Sequence, residues 1–338
     1  MKATGSAAVV VVVAALLGGG TCQGGGRLPP PPPPLTPLFA MPARPVCAGD
    51  NAGVVDVAAL LEPGLREVSG IAASLLNEDL LWLVADAGNA AALYAVSSTT
   101  GATRLQVNLP AQNIDFEDLA LGPCPDLAQP CVFIADTGDN ALARGTVFVY
   151  AFPEPQLAAD AEAGVATLET LWVMPLQFAG GEHVDVEAIA VLPDASALIL
   201  IEKTTAPVAR VFAYRAPWSA TLNGFDSPAR ELEQSGTVAV PAEGKKRERR
   251  ITGASVHWSG TRMWLRYSGG LAEYAADDAV AFLDPSTLLP RQILPSPPSE
   301  EQGEALTYSA DGLALFSIAE VPSGETPVLH LSACQESP

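Results

Sequence analysis

The sequence is poor in histidine and in positively charged residues, on which many hydrolases and nucleic-acid-binding proteins rely. It contains only 3 histidines, and its 18 lysines and arginines face 38 aspartates and glutamates, for a net charge of −20. A field of that sign repels nucleic acid and anionic lipid, so neither is expected as a partner. His183, His257 and His330 lie far apart, and none accompanies a Gly-x-Ser-x-Gly elbow. This argues against a Ser–His catalytic apparatus.

Long apolar runs are also missing beyond the N-terminus. Residues 7–17 form one apolar run behind Lys2, which is the pattern of a secretory signal and is too short for a membrane span. We therefore expect residues 1–21 to be a signal peptide and the protein to be extracytoplasmic. Small residues precede Cys22, which favours lipidation of this cysteine and a membrane anchor. Ordinary signal-peptidase cleavage, giving a secreted protein, is the alternative.

Residues 22–46 are rich in glycine and proline and predict a flexible and then polyproline-II tether. Residues 47–338 remain for one folded domain. The chain has only 5 cysteines. If Cys22 carries lipid, the other four can pair, Cys124 with Cys131 across one loop and Cys47 with Cys334 across the ends of the fold. Reduced thiols are the alternative.

Extended helical periodicity is absent as well, and the apolar segments are short, β-branched and separated by turn residues, which predicts an all-β chain. Five aligned copies of one strand, strand A, occupy residues 67–72, 115–120, 185–190, 250–255 and 302–307. Two further apolar runs, B and C, follow each copy, and a fourth strand fits before the next. A repeat of about 50–70 residues is typical of β-propeller blades.

We therefore predict a β-propeller of five four-stranded blades. The long intervals after Glu117 and Glu187 leave room for a sixth, degenerate blade. The segment GVVDVAALL precedes the first repeat and has no B or C of its own. It is predicted to serve as the fourth strand of the last blade and so to close the ring.

Acidic residues recur at the start of strand A. Residues two apart share a face of a strand, so these side chains are expected at one mouth of the central channel. Crowded carboxylates are costly unless protonated or neutralised, and an oxygen-rich set without cysteine or clustered histidine suits Ca²⁺. His183 is a weaker candidate ligand. The predicted calcium ligands are Glu67, Asp115, Glu117, Asp185, Glu187 and Glu304. The alternative is that these acids cap turns by accepting loop amides.

Strand B ends on the same rim as strand A begins, and residues 245–250 add a basic segment there. A cation beside arginines suits a ligand that carries phosphate or carboxylate, although a solvated surface loop is the alternative for the basic segment. The predicted ligand-binding residues are Asp86, Asp136, Glu202, Arg250, Arg266 and Glu320. Residues 136–140, Asp-Thr-Gly-Asp-Asn, are interpreted as a strand-to-strand turn in which Gly138 takes a positive φ.

The order of these motifs resembles a group of exported bacterial β-propellers. Their shared patterns are E-x-S-G-[IL]-A, D-[WF]-E-D-[IL]-A with a later D-x-G-D-N, D-x-E-[AG]-[IL] in a strand that ends in Glu-Lys or Glu-Arg, and a closing G-E-[AG]. They occur here at residues 67–72, 115–120 with 136–140, 185–189 with Glu202-Lys203, and 303–305. The group is similar to phytase-like and SdiA-regulated-type propellers, which implies cation binding at the channel rim without a fixed reaction. Such relatives usually have six blades, and the fourth repeat departs with Arg250 and Thr252.

Three hypotheses follow. The first is an exported monomer, lipid-anchored or secreted, whose calcium-binding rim holds a small-molecule or protein ligand. The second is a calcium-dependent phosphoester hydrolase of phytase or nucleotidase type, and the third is an interaction module without a metal.

Overall fold

The structure, a computed structural model, describes residues 39–125, 127–158, 163–216, 225, 227–240, 245–297, 302–321 and 325–335. The expected signal peptide, Cys22 and most of the tether lie outside these residues. The described chain forms 22 β-strands and five short 3-10 helices, so the all-β prediction is confirmed. None of the described helices has the length and apolar character needed to cross a membrane.

The strands follow one another in antiparallel groups that we call blades one to five. The chain begins with β1 (Asp50–Asn51) and β2 (Val55–Ala59). Blade one contains β3 (Val68–Ala73), β4 (Leu80–Ala85), β5 (Ala92–Ser97) and β6 (Thr103–Asn108). Blade two contains β7 (Phe116–Pro123), β8 (Pro130–Asp136) and β9 (Val147–Pro153), and after β10 (Gly164–Thr167) it is completed by β11 (Trp172–Phe178).

Blade three contains β12 (Val186–Val191), β13 (Ala197–Glu202), β14 (Val208–Arg215) and β15 (Arg230–Ala239). Blade four contains β16 (Ile251–Val256), β17 (Arg262–Tyr267), β18 (Gly270–Ala275) and β19 (Pro290–Pro295), and blade five contains β20 (Gln302–Tyr308), β21 (Ala314–Glu320) and β22 (Val328–Gln335). The 3-10 helices are Pro63–Leu65, Ala179–Gly181, Lys246–Arg249, Ala279–Leu283 and Pro285–Thr287.

The described strands close into a ring. The innermost strands contact one another in the order β3, β7, β12, β16 and β20, and β20 contacts β3 again. β2 pairs antiparallel with β22, with Val55 opposite Leu331, so the N-terminal strand completes blade five as predicted. The Cys47–Cys334 disulfide fastens this closure, with 5.6 Å between the two Cα atoms. The Cys124–Cys131 disulfide braces the β7–β8 loop, so both predicted pairings are confirmed.

Apolar side chains pack between successive blades and form one buried cluster at each of the five junctions. Trp82 of blade one, for example, packs in the cluster shared with blade two, whereas Ile318 of blade five packs with Ile71 of blade one. Burial on both faces explains why strands such as β4 and β13 are apolar at nearly every position. The clusters hold the five inner strands around the channel that carries the candidate site.

Two parallel pairings at the outer edges were not predicted from the sequence. β10 pairs parallel with β6, which adds a fifth strand to blade one. β11 pairs parallel with β15, so blades two and three form one eight-stranded sheet. The strand β10, which lies in the long interval after Glu117, thus extends blade one.

Candidate functional site

Each inner strand has a register irregularity at the same place. In blade two, Phe116 pairs with Asp136 and Asp118 with Ala135, so Glu117 has no partner on the neighbouring strand. The same shift leaves one residue unpaired at the start of each of the other four inner strands. The five bulged residues are Ser69, Glu117, Glu187, Thr252 and Glu304. A bulge turns its side chain away from the regular pleat, which here brings one column of the repeat to the channel mouth.

Two groups of carboxylates converge at this mouth on the side of blades one to three. Asp86, Asp115 and Glu117 each offer one oxygen, and these oxygens lie within 4.8 Å of one another. Glu117, Asp185 and Glu187 satisfy the same distance limit. Glu117 belongs to both groups, so we call the five residues together the acidic cluster. An all-carboxylate donor set is one that a hard cation such as Ca²⁺ prefers.

The loop at residues 136–140 spans the two groups. The Asp139 amide donates to Asp185 Oδ1 at 2.8 Å, and the Gly138 amide donates to the Asp115 carbonyl at 3.3 Å. Arg144 fixes the loop by donating to the Gly138 carbonyl at 2.7 Å. These bonds hold the loop against the acidic cluster.

The interpretation of Gly138 as a positive-φ turn residue was wrong, because Gly138 is not among the positive-φ residues of the described chain. Its importance lies in the missing side chain. A Cβ atom at this position would overlap the carboxylates of Glu117 and Asp115. Glycine therefore permits the close approach of the loop backbone to these two acids.

Glu187 is a buried member of the cluster whose two carboxylate oxygens have different environments. The side chain is only 2% exposed, and its Oε1 forms an ion pair with the Lys203 ammonium. Its Oε2 is buried, and no described residue donates a hydrogen bond to it. A buried carboxylate oxygen without a donor is costly, because it loses hydration and gains nothing in exchange. This atom is thus a point at which a ligand would be stabilised.

A cavity of about 360 Å³ opens beside the cluster. Lys203, Arg247 and Arg250 line its basic part, and its acidic part contains Glu67, Glu304 and Glu320. A smaller recess of about 40 Å³ adjoins the cluster, and Lys203 lines both spaces. The basic segment therefore opens toward the channel mouth, as expected, through Arg247 and Arg250.

Burial and crowding shift several of these carboxyl groups in the same direction. Burial, reinforced by the neighbouring Asp86, raises the pKa of Asp115 to about 6 and raises that of Glu117 well above its usual range. Burial also raises the pKa of Asp185 and that of Glu320. In the cavity, burial raises the pKa of Glu304 to about 7, although Lys203 and Arg266 oppose the shift. The environment of the mouth thus favours the uncharged form of these acids or their neutralisation by a cation.

Two other predicted ligand-binding residues, Asp136 and Glu202, form hydrogen bonds with residues outside the acidic cluster. Asp136 is buried and accepts hydrogen bonds from Arg144 at 2.9 Å and from the Tyr150 hydroxyl at 3.1 Å. Glu202 accepts two hydrogen bonds, at 3.0 and 2.9 Å, from the guanidinium of Arg210 on the neighbouring strand β14.

Arg266 is fully buried, and its guanidinium packs where a side chain at Gly303 would lie. Asp86 and Glu320 line the recess, and Arg250 lines the cavity. His183 lies outside both described acidic groups, with Nδ1 2.9 Å from the Arg144 carbonyl.

Two important residues had no assigned role in the sequence analysis. Lys203 directly follows β13, so its position at the rim was the available signal. Asp118 is fully buried and accepts the amides of Leu119 at 2.8 Å, Ile189 at 3.0 Å and Ala254 at 3.3 Å. It thereby ties blades two, three and four together beneath the mouth. The doubled acid in Glu117-Asp118 was its only sequence signal.

The sequence matches no protein-family model, and no curated protein resembles it in sequence. Among solved structures, the chain is similar to a gluconolactonase from Xanthomonas campestris, with 12% identity, a TM-score of 0.45, and coverage of 90% of this chain and 99% of that one. It is also similar to a protein from Bacteroides uniformis assigned as a 6-phosphogluconolactonase, with 16% identity, a TM-score of 0.35, and coverage of 77% and 70%. Likenesses this distant carry no inference about activity.

Proposed function

We propose that this β-propeller binds Ca²⁺ through the acidic cluster and uses the adjoining cavity to hold an anionic ligand, either a small molecule or an acidic group of a partner protein. The observation that carries the proposal is Glu187 Oε2, a buried carboxylate oxygen with no donor among the described residues. Glu187 belongs to a group of three carboxylates that each offer one oxygen, and these oxygens lie within 4.8 Å of one another. A divalent cation would satisfy this atom and neutralise its neighbours at once.

Electrostatics at the mouth support the same proposal. Burial and mutual repulsion raise the pKa of Asp115 and that of Glu117, so the ionised cluster is unfavourable by itself. A bound cation would reverse that penalty. Lys203, Arg247 and Arg250 line the cavity next to the cluster, and basic side chains of this kind bind phosphate and carboxylate groups.

The proposal places the protein outside the cytoplasm. The two disulfides are typical of proteins that fold in an oxidising compartment. The same proposal includes a signal peptide over residues 1–21, lipidation of Cys22 and a tether over residues 22–46, all inferred from the N-terminal sequence. We propose that the propeller acts there as a monomer, attached to the membrane only through its lipid. The net charge of −20 disfavours nucleic acid as a partner.

Thermal unfolding after chelation with EDTA, followed by addition of Ca²⁺, tests the cation site. A ligand that binds only the folded state at 100 times its Kd stabilises it by about 2.7 kcal/mol, so the Tm is expected to rise by several degrees. Glu117→Gln and Glu187→Gln should each abolish most of the rise. Glu78→Gln removes the same charge from an exposed position and should leave it intact. An unchanged wild-type Tm would contradict the proposal and favour an interaction module without a metal.

Calcium-dependent hydrolysis of phosphoesters is the second candidate, and Glu304 favours it. Its carboxyl group lines the same cavity as Arg250, and burial raises its pKa to about 7. A group that exchanges protons near neutral pH beside an anion site suits general acid–base catalysis. Turnover of p-nitrophenyl phosphate with Ca²⁺ should then fall about 100-fold or more in Glu304→Gln, while calcium affinity stays near wild type. Absence of turnover in the wild type would leave ligand binding as the function.

A further inference from the structure

Lys203 lies at the boundary between the acidic cluster and the cavity. Its ammonium is paired with Glu187 Oε1, and the side chain is 17% exposed. It lines both the acidic recess and the larger cavity, and it is the only basic residue among the described residues that line the recess. One flexible side chain therefore borders both halves of the proposed site.

The position of the ammonium is one that a metal ion would also favour. Glu187 belongs to the group of three carboxylates that could hold a cation, and Lys203 already neutralises one of its oxygens. A single ammonium is a weak substitute for a divalent ion, since Glu187 Oε2 still has no donor among the described residues. The ammonium and a cation would compete for the same carboxylate.

The cavity offers the ammonium a second position. Arg247 and Arg250 line the same cavity as Lys203, and both are exposed at the rim. Lysine carries its charge on a flexible four-carbon stem, so it can change partners without movement of the backbone. An anion in the cavity would attract the ammonium away from Glu187.

We propose that Lys203 couples the two halves of the site: a divalent cation replaces its ammonium on Glu187, and the released ammonium joins Arg247 and Arg250 around an anion in the cavity. This inference rests on the proposed cation and anion function and adds its regulation. By linkage, the cation must then raise the affinity for the anion, and the anion must raise the affinity for the cation by the same factor. The expected factor is about 5-fold or more.

Calorimetric titration of the full protein with Ca²⁺ tests the coupling, in the presence of sulfate as the tetrahedral anion or of chloride at matched ionic strength. In the wild type, sulfate should raise calcium affinity about 5-fold or more. In Lys203→Met, calcium should bind more tightly than in the wild type without sulfate, because the competing ammonium is gone, and sulfate should have no further effect. Lys246→Met removes the same charge from an exposed neighbouring position and should behave as the wild type.

A second measurement uses the wild type alone, so it does not depend on the folding of a variant. The chain has four lysines, Lys2, Lys203, Lys245 and Lys246, which makes reductive methylation followed by peptide mass spectrometry easy to interpret. Methylation of Lys203 should speed up with Ca²⁺, because the amine leaves its ion pair, and should slow again when sulfate is added. The exposed Lys245 and Lys246 should not respond.

The outcomes separate the two claims. Calcium binding by the wild type, together with unchanged sulfate coupling in Lys203→Met or a Lys203 methylation rate that ignores Ca²⁺, would overturn the coupling and leave the proposed function standing. Absence of calcium binding by both the wild type and Lys203→Met would overturn the proposed function and the coupling with it.

Discussion

Blades two and four have the same backbone plan and opposite chemistry. The bulged residue of the inner strand is Glu117 in blade two and Thr252 in blade four, and both are buried at the channel mouth. The residue two positions before the bulge is Asp115 in blade two and Arg250 in blade four. The bulge thus determines where a side chain points, and the residue type alone determines which charge it brings there.

The position after the bulge shows a second difference. Asp118 in blade two corresponds to Gly253 in blade four, and the remaining blades have glycine or alanine there. Gly70 needs its small size, because a Cβ atom would lie 2.7 Å from the Leu119 nitrogen. The inner strands therefore approach one another closely at this level, and a single carboxylate binds amides from three of them.

Removal of the Asp118 carboxylate should have the largest effect of the changes that separate these blades. Asp118→Ala leaves the amides of Leu119, Ile189 and Ala254 without this acceptor, at about 1–3 kcal/mol for each buried donor. Urea unfolding should show a loss of about 3–5 kcal/mol. Asp118→Asn keeps one acceptor oxygen and should lose less than half as much. Equal losses in the two variants would contradict this role.

A rise in pH should destabilise the calcium-free protein through the buried acids of the mouth. Burial raises the folded-state pKa of Asp115 to about 6 and that of Glu304 to about 7, whereas unfolded carboxyl groups titrate near about 4. An acid whose pKa is raised by folding lowers the stability of the fold as pH rises from its unfolded pKa to its folded pKa, because the unfolded state releases the proton first. The stability of the calcium-free protein should therefore fall by about 3–4 kcal/mol as pH rises from about 4.5 to 7.5, with the partly exposed Asp115 contributing less than its full shift. Tm measurements across this range test it.

Added Ca²⁺ and the Glu304→Gln variant serve as two further arms of the pH experiment. Saturating Ca²⁺ should flatten the decline, because the cation offsets the repulsion among the ionised acids. Glu304→Gln should reduce the decline from about pH 4.5 to 7, and should remove most of it between about pH 6 and 7, where Asp115 has largely ionised in both states. A Tm that rises with pH over the window in the presence of EDTA would show that these acids are stabilised when ionised.

Addition of one methyl group tests the close approach in blade two. Gly138→Ala places a Cβ atom against the carboxylates of Glu117 and Asp115, so the loop or the acids must shift. We expect a loss of about 1–2 kcal/mol and a smaller rise in Tm with Ca²⁺. Gly145→Ala is the matched control, because no heavy atom lies within 4 Å of its Cβ position. Similar losses in both variants would mean that the space near Glu117 is not the cause.

Loss of a charge from blade four should have the smallest effect on stability. Arg250 is exposed, so Arg250→Gln should change the free energy of unfolding by no more than about 0.5 kcal/mol. The Tm rise produced by sulfate in the presence of Ca²⁺ should nevertheless shrink. Lys245→Gln, an exposed change outside the cavity lining, is the control. Equal sulfate responses in both variants would exclude Arg250 from the anion site.

Much of this architecture could be predicted from the sequence because it depends on periodic patterns. The alternation of apolar residues identified the inner strands, and the unpaired segment before Glu67 identified the ring closure at β2. The cysteine positions identified both disulfides. Charge at the start of strand A likewise indicated that Glu117 and Glu187 would lie at a common mouth.

The remaining features depend on contacts between segments that share no pattern. The bulges that aim Glu117 and Glu187 follow from the pairing of two strands and have no sequence marker. The pairing of Lys203 with Glu187 depends on rotamers. The partners of Asp136 and Glu202 lie in the following loop or on the adjacent strand, and no sequence pattern marks them. The parallel pairing of β11 with β15 joins segments that lie far apart in the chain, which local propensity does not detect.

The closure of the ring through β2 and β22 also dictates when folding can finish. Pairing joins Val55 to Leu331, so the chain must emerge almost completely before blade five acquires its last strand. Until then, Leu329 of β22 cannot complete the buried cluster that contains Ile71 and Ile318, so an apolar seam stays open there. A product truncated before β22 would expose this apolar seam permanently, and exposed seams of that kind are what chaperones and proteases recognise. The strand β22 is therefore needed to complete the last blade, and the Cys47–Cys334 bond holds the two ends of the described chain together in the closed ring.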